Sequence, residues 1–170
     1  MFGFGNSKKS KIVKALKNQG IGGQSVIYKL FVQALAVQSA EVRKIELTYF
    51  SLTLITYVFL RFYKGPEKKD VLDEMSLSIL ETSIRGCGEE ISIKEAIAEY
   101  QKRYQEYNAL LEPLFSKTDV DPNITLLMHL YESVVQKSAK DAMIQISTAS
   151  PLIHQFVLDH IDFVQTEPWD

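Results

Sequence analysis

Leu47-Thr-Tyr-Phe-Ser-Leu-Thr-Leu-Ile-Thr-Tyr-Val-Phe-Leu60 is a run of fourteen residues without a charge. A membrane-spanning helix needs about 20 consecutive apolar residues. This run is shorter, carries hydroxyls at Thr48, Ser51, Thr53 and Thr56, and is bracketed by Glu46 and Arg61. A helix that is apolar all round belongs in the middle of a protein. The segment from about Glu41 to Tyr63 is therefore expected to be the buried central helix of an all-α fold, stopped by Gly65-Pro66.

Working outward, the flanking segments show helical period and little else. No alternating run is closed by an Asn-Gly or Asp-Gly turn, the usual mark of a hairpin. Before the central segment, Ile12, Val13 and Leu16 predict a short helix over about Lys8–Asn18, with Gly20 as its left-handed cap and Gly20–Gly23 as a flexible loop. A second helix from about Ser25 carries Ile27, Leu30, Phe31, Ala34 and Leu35 on one stripe.

After it, Glu67–Arg85 reads as a helix that turns Val71, Leu72, Met75, Ile79 and Leu80 inward and breaks at Gly86-Cys87-Gly88. Ser92 with Glu95 three residues on forms a capping box, in which each side chain satisfies the other residue's backbone N–H. The helix it starts has a seam of Ile93, Ile97, Tyr100, Tyr104, Tyr107 and Leu111, ended by Pro113. Asp121-Pro122 starts another helix, expected to run to about Ala149, and Ser150-Pro151 repeats the device for a last one. From Thr166 the chain reads as a tail. The expectation is a compact antiparallel bundle of six or seven helices around a buried central helix.

A chain of 170 residues fits one domain, 1–170, and has enough core to need no staples. Its one cysteine cannot make an internal bridge, and Met1-Phe-Gly-Phe-Gly followed by lysines lacks the apolar core of a secretory leader. These features predict a reducing, cytoplasmic setting. The net charge of −2 hides a polarity along the chain. Residues 1–40 hold six lysines and no acid. The remainder holds thirteen basic and twenty-one acidic side chains, with no Lys or Arg after Lys140. Such polarity bears on association rather than on fold.

Catalytic patterns are missing. Gly3-Phe-Gly and Gly20-Ile-Gly-Gly lack the spacing and the Lys-Ser/Thr of phosphate-binding loops. Cys87 has no identifiable base beside it, and a small residue in a tight turn is the plainer reading. His129, one turn from Glu132, lies on a polar helix side; His160 falls on an inward stripe, and His154 lies further round. None of these repeats the paired Glu-x-x-His order of di-iron bundles. Glu99 and Arg103 read as a surface pair at i, i+4. No cofactor, no metal site and no enzymatic activity are expected.

Two sets of residues point to binding. Tyr49, Tyr57, Tyr100, Tyr104 and Tyr107 are packed aromatics or the lining of a cavity for a small hydrophobic ligand, with the central hydroxyls as their hydrogen-bond partners. Phe2, Phe4, Lys8, Lys9, Lys11, Lys14 and Lys17 form a basic N-terminal segment, residues 1–19, suited to an anionic membrane surface or to docking on the acidic tail. Nucleic acid is not expected, because the rest of the chain is acidic and carries no recognition motif. The leading expectation is a non-enzymatic protein that contacts a protein partner or a second copy of itself. Its contact surfaces would be the basic segment and the acidic last helix, with Asp159 and Asp162.

Overall fold

The computed structural model describes residues 8–115 and 121–169. Six α-helices follow in order: α1 (Lys8–Lys29), α2 (Lys44–Phe62), α3 (Lys68–Cys87), α4 (Ile93–Leu111), α5 (Pro122–Val135) and α6 (Met143–Thr166). Short π or 3-10 turns sit at Leu30–Ala34, Ser39–Glu41, Glu112–Phe115 and Ala139–Ala142. The described residues contain no strand, and the fold is all-α.

The uncharged run forms the centre. Every residue of α2 from Ile45 to Phe59 is buried, and α2 packs against each of the other five α-helices. By length and mean hydropathy, 1.3, it resembles a membrane span, but 83% of that stretch is buried within the protein. Each fully covered Leu, Ile, Val or Phe stabilises the fold by about 1.5–3 kcal/mol relative to exposure. Phe50 ties three helices together, edge-to-face with Tyr107 of α4 at 5.3 Å and stacked near Phe156 of α6 at 6.4 Å.

The glycine-rich stretch is not a loop. α1 runs straight through Gly20, Gly22 and Gly23 to Lys29, continues as a π turn, and ends where Ala36 takes φ 53°. Gly20 and Gly23 are buried at close approaches. A Cβ on Gly20 would lie 2.8 Å from Cδ1 of Ile79, and one on Gly23 would lie 3.2 Å from Cζ of Phe156 and 3.3 Å from Nε2 of His160. These two glycines let α1 sit down on α3 and α6. Gly22 differs, since nothing lies within 4 Å of an added Cβ. Gly22→Ala should therefore raise the unfolding free energy by about 0.5–1 kcal/mol, through helix propensity alone. Urea denaturation checks this; an unchanged or lower midpoint would mean the segment is not helical in solution.

The later helices divide at a different place from the expected one. Ser92 caps α4, with its Oγ accepting from the Glu95 N–H at 3.3 Å and its own N–H donating to Glu95 Oε2 at 2.9 Å. Asp121 caps α5 by accepting from the Asn123 N–H at 2.9 Å. But α5 stops at Val135, where Gln136 takes the left-handed conformation, φ 59°. Ser138 then caps the 3-10 turn that leads into α6. Ser150-Pro151 starts no helix: Pro151 lies inside α6. It is tolerated because its side of α6 is exposed, as is Ser147, whose carbonyl the missing N–H would have met, so water can solvate that carbonyl.

The chain end beyond Thr166 is also not a free tail. Trp169 returns to α2, its indole N–H donating to the Val164 carbonyl at 2.8 Å. Its ring meets Phe59 and Tyr63 edge-on, both at 5.9 Å, and Phe163 at 5.8 Å.

Candidate functional site

The most strongly charged feature of the interior surrounds Glu46, on the first turn of α2. Its Oε1 accepts from Arg43 Nη1 at 3.2 Å and from Arg103 Nη2 of α4 at 3.0 Å. Arg43 also donates to Glu89 Oε2 at 3.1 Å, and Arg103 to Glu106 Oε2 at 2.8 Å. His129 of α5 stands 3.7 Å from the same Glu106 oxygen. The Glu46 side chain is 1% exposed and that of Arg103 16%, so the Glu99–Arg103 pair that the i, i+4 spacing predicts does form, but Arg103 is turned inward rather than lying at the surface. Glu99 stands 3.5 Å from Arg103 Nε.

Burial raises the pKa of Glu46, opposed by the hydrogen bond and charge of Arg103 and by the charge of Arg43. Glu46 Oε2 and the hydroxyls of Tyr49 and Tyr107 are buried with no hydrogen-bond partner. Burial, then the nearby Glu46 charge, raises both tyrosines well above their ordinary value. The cluster's ion pairs tie the start of α2 to α4 and to Glu89 beyond α3, an electrostatic clamp beside which His129 of α5 stands.

The five predicted tyrosines do not share one cavity. Tyr49 and Tyr107 are in the core, and Tyr107 packs edge-on against His129 at 5.5 Å. Tyr57 lies at the other end of α2, where its hydroxyl donates to the Glu112 carboxylate and accepts from Arg61 Nη1 at 3.1 Å. Burial and that carboxylate push its pKa up to about 12. Tyr100 and Tyr104, half-buried, line an open groove of 510 Å³ with Leu60, Leu72 and Ser76. Of the central hydroxyls only Thr56 meets a tyrosine, Tyr100 at 3.3 Å. Thr53 instead donates to the Tyr49 carbonyl at 2.8 Å, and Ser51 Oγ has no partner.

From Lys8 onward the basic segment is folded into the domain. Lys9 pairs with Glu74 at 3.0 Å and Lys8 with Glu67 at 3.9 Å, both near the start of α3. Lys11 and Lys14 are exposed and Lys17 is partly so, while Ile12, Val13 and Leu16 are buried. The apolar side of this helix thus faces the core. Phe2 and Phe4 lie outside the described residues.

Histidines and cysteine are dispersed. His160 is buried, with Nδ1 2.9 Å from the Phe156 carbonyl, and burial lowers its pKa. His154 is exposed near Asn123 at 3.3 Å. Cys87, half-buried at the end of α3, donates to the Ile84 carbonyl at 3.2 Å. Among the described residues no three His, Cys, Asp or Glu side chains are grouped as a metal site would require.

Two further grooves bear on binding. A groove of 550 Å³ runs between α1, α2 and α3. A second, of 420 Å³, lies between α1 and α6, bordered by Val26, Leu152, Phe156 and Asp159. The outer half of α6 carries further exposed apolar side chains. On α6 Ile144 is 81% exposed, Leu152 52% and Leu158 41%, while Val26, across the groove from Leu152 on α1, is 51% exposed. Asp159 and Asp162 of α6 are both exposed, and Asp159 accepts from Gln155 Nε2 at 2.7 Å. No family model, curated protein or solved structure matches this chain.

The α1–α2–α3 groove and the Glu46 cluster escape a reading of the sequence alone, which pointed to the last helix only through its acids Asp159 and Asp162. Arg103 is fifty-seven positions from Glu46, and no periodicity links them. The apolar part of the α6 surface had one available signal: Ile144, Leu152 and Leu158 do not fit the inward set of Ile146, Ile153, Phe156 and Val157.

Proposed function

We propose that this chain is a non-enzymatic helical module that docks another protein on the outer half of α6 and the groove it shares with α1. The observation that carries the reading is the exposure of Leu152 on α6 and Val26 on α1, which border one groove, with Ile144 and Leu158 also exposed on the outer half of α6. Contiguous exposed apolar side chains rimmed by polar residues mark interaction sites. Charge selects the occupant. The α6 surface carries Asp159 and Asp162, and no lysine or arginine follows Lys140, so the complementary partner is an amphipathic helix with basic flanks. Apolar pins would supply the contact energy, and the acids would steer encounter and set its salt dependence.

A labelled leucine–lysine amphipathic helical peptide tests this by fluorescence anisotropy. Binding should weaken as salt rises. Leu152→Asp should reduce affinity more than about tenfold, as loss of a central apolar anchor does. Asp159→Asn with Asp162→Asn should flatten the salt dependence. No binding, or binding indifferent to these substitutions, would refute the reading. A concentration-dependent dimer in sedimentation, abolished by Leu152→Asp, would instead make a second copy the occupant.

A further inference from the structure

The groove between α1, α2 and α3 has a chemistry that the α6 surface does not share. Its walls are apolar, from Ile21 and Tyr28 of α1 and Leu47 of α2. Its polar floor is one hydrogen-bonded set. Gln24 Nε2 donates to Ser83 Oγ at 3.0 Å, and Gln24 Oε1 accepts from Thr48 Oγ1 at 3.3 Å. A glutamine amide has two N–H donors, so the set has a donor beyond that single bond. Lys29 and Lys44 stand at the rim, and no aspartate or glutamate lines the groove. Neither lysine pairs with a carboxylate among the described residues. Glu89, close in sequence to the Cys87 end of the groove, is engaged by Arg43. The wall at Lys44 and Leu47 is also the first turn of α2, whose N-cap, Arg43, supplies no side-chain cap. That helix end adds positive potential to the two ammonium groups.

We infer that this groove binds an amphipathic monoanion, a carboxylate with an apolar body, whose head meets Lys44 and Lys29 and whose body lies against Ile21, Tyr28 and Leu47. Its 550 Å³ is within the range of small-molecule sites. The head is a single anionic group rather than a polyphosphate, because the rim offers two lysines and no arginine fork for bidentate recognition. The apolar walls exclude a fully polar anion as the preferred ligand, and the absent acids exclude a cation.

Cys87 supplies the readout. It is the only cysteine in the chain and it lines the groove, so its alkylation reports occupancy without ambiguity. Decanoate, kept below its micelle concentration, should slow the reaction of Cys87 with N-ethylmaleimide several-fold, and calorimetry should show one saturable site. Decanol should protect less, and decyltrimethylammonium not at all. Lys44→Gln should weaken decanoate roughly five- to tenfold, the loss expected for one partly desolvated ion pair. Thr82→Trp, which places an indole in the groove from its exposed edge, should abolish protection in a protein that still folds. Lys29 stands on the ridge between this groove and the α1–α6 groove, so Lys44 is the diagnostic lysine. Leu152→Asp, which disrupts the α6 surface, should leave decanoate binding unchanged. Equal protection by decanoate and decyltrimethylammonium would overturn the inference, as would no protection or an affinity unmoved by Lys44→Gln.

Discussion

Arg103→Met should lower the unfolding free energy by about 3 kcal/mol at neutral pH, the loss expected when one partner of a buried ion pair is removed. Methionine keeps most of the packing of the arginine stem, so the change isolates the charge. Glu46 would keep Arg43 as a neighbour but lose its closer contact, 3.0 Å against 3.2 Å, in a setting where its side chain is 1% exposed. The pH dependence gives the sharper signature. Burial already holds Glu46 above the ordinary carboxylate value, and removing Arg103 lifts it further. An acid whose folded pKa is raised binds its proton more tightly in the folded state. Its stabilising influence is therefore present at low pH and is lost as pH rises through the window between the ordinary and the raised values. The Arg103→Met penalty should be largest above that window and should shrink when Glu46 is protonated and needs no counter-ion. Urea denaturation at neutral pH and at a series of lower pH values down to the ordinary carboxylate range measures both. Glu46→Leu combined with Arg103→Met should recover most of the loss, because paired buried charges are often replaceable by apolar side chains. A penalty below about 1 kcal/mol at all these pH values would remove the clamp from the account of stability.

Pro151→Ala should act in the opposite direction, stabilising the protein by about 1–2 kcal/mol. Proline inside a helix costs about 3 kcal/mol relative to alanine, while proline also stiffens the unfolded chain and so offsets part of that cost. For a chain of this size the gain corresponds to a melting temperature higher by roughly 2–8 °C. If Pro151 opened a separate helix, as Ser150-Pro151 predicts, its missing N–H would cost nothing and alanine would give no gain. Differential scanning calorimetry separates these outcomes.

The contrast between Pro151 and Pro122 shows what sequence pattern can and cannot deliver. Both follow a residue able to cap a helix, and only the one after Asp121 starts one. The local signal is the same; the difference lies in which face of α6 meets solvent. Gly20 and Gly88 pose the same problem. Gly88 ends α3 with φ 77°, as the break at Gly86-Cys87-Gly88 predicts, whereas Gly20 sits within a helix against Ile79. Glycine marks a place where a side chain is unwelcome, and backbone conformation and interhelical distance give the same mark. What is local and chemically specific was legible: the capping box at Ser92–Glu95, the cap at Asp121, the uncharged core of α2. The tyrosine spacing put Tyr107 in the core, yet Tyr100 and Tyr104 reach a groove edge, because α4 covers α2 with only part of its face. The Glu46 clamp and the α1–α2–α3 groove are made by residues far apart in the chain.

The central position of α2 carries a consequence for synthesis. A ribosome delivers this most deeply buried helix well before α5 and α6, which complete its cover. Its neighbours in the chain, α1 and α3, also pack against it and against each other. A nascent chain can therefore shelter part of α2 with the first three helices while the remainder is still being made. The face awaiting α4, α5 and α6, with Phe50 among its residues, stays unburied until Phe156 has emerged. That interval is when the chain is most exposed to self-association and to chaperone capture. Translation rate across residues 88–156 should accordingly govern the soluble yield more than the rate over any earlier stretch.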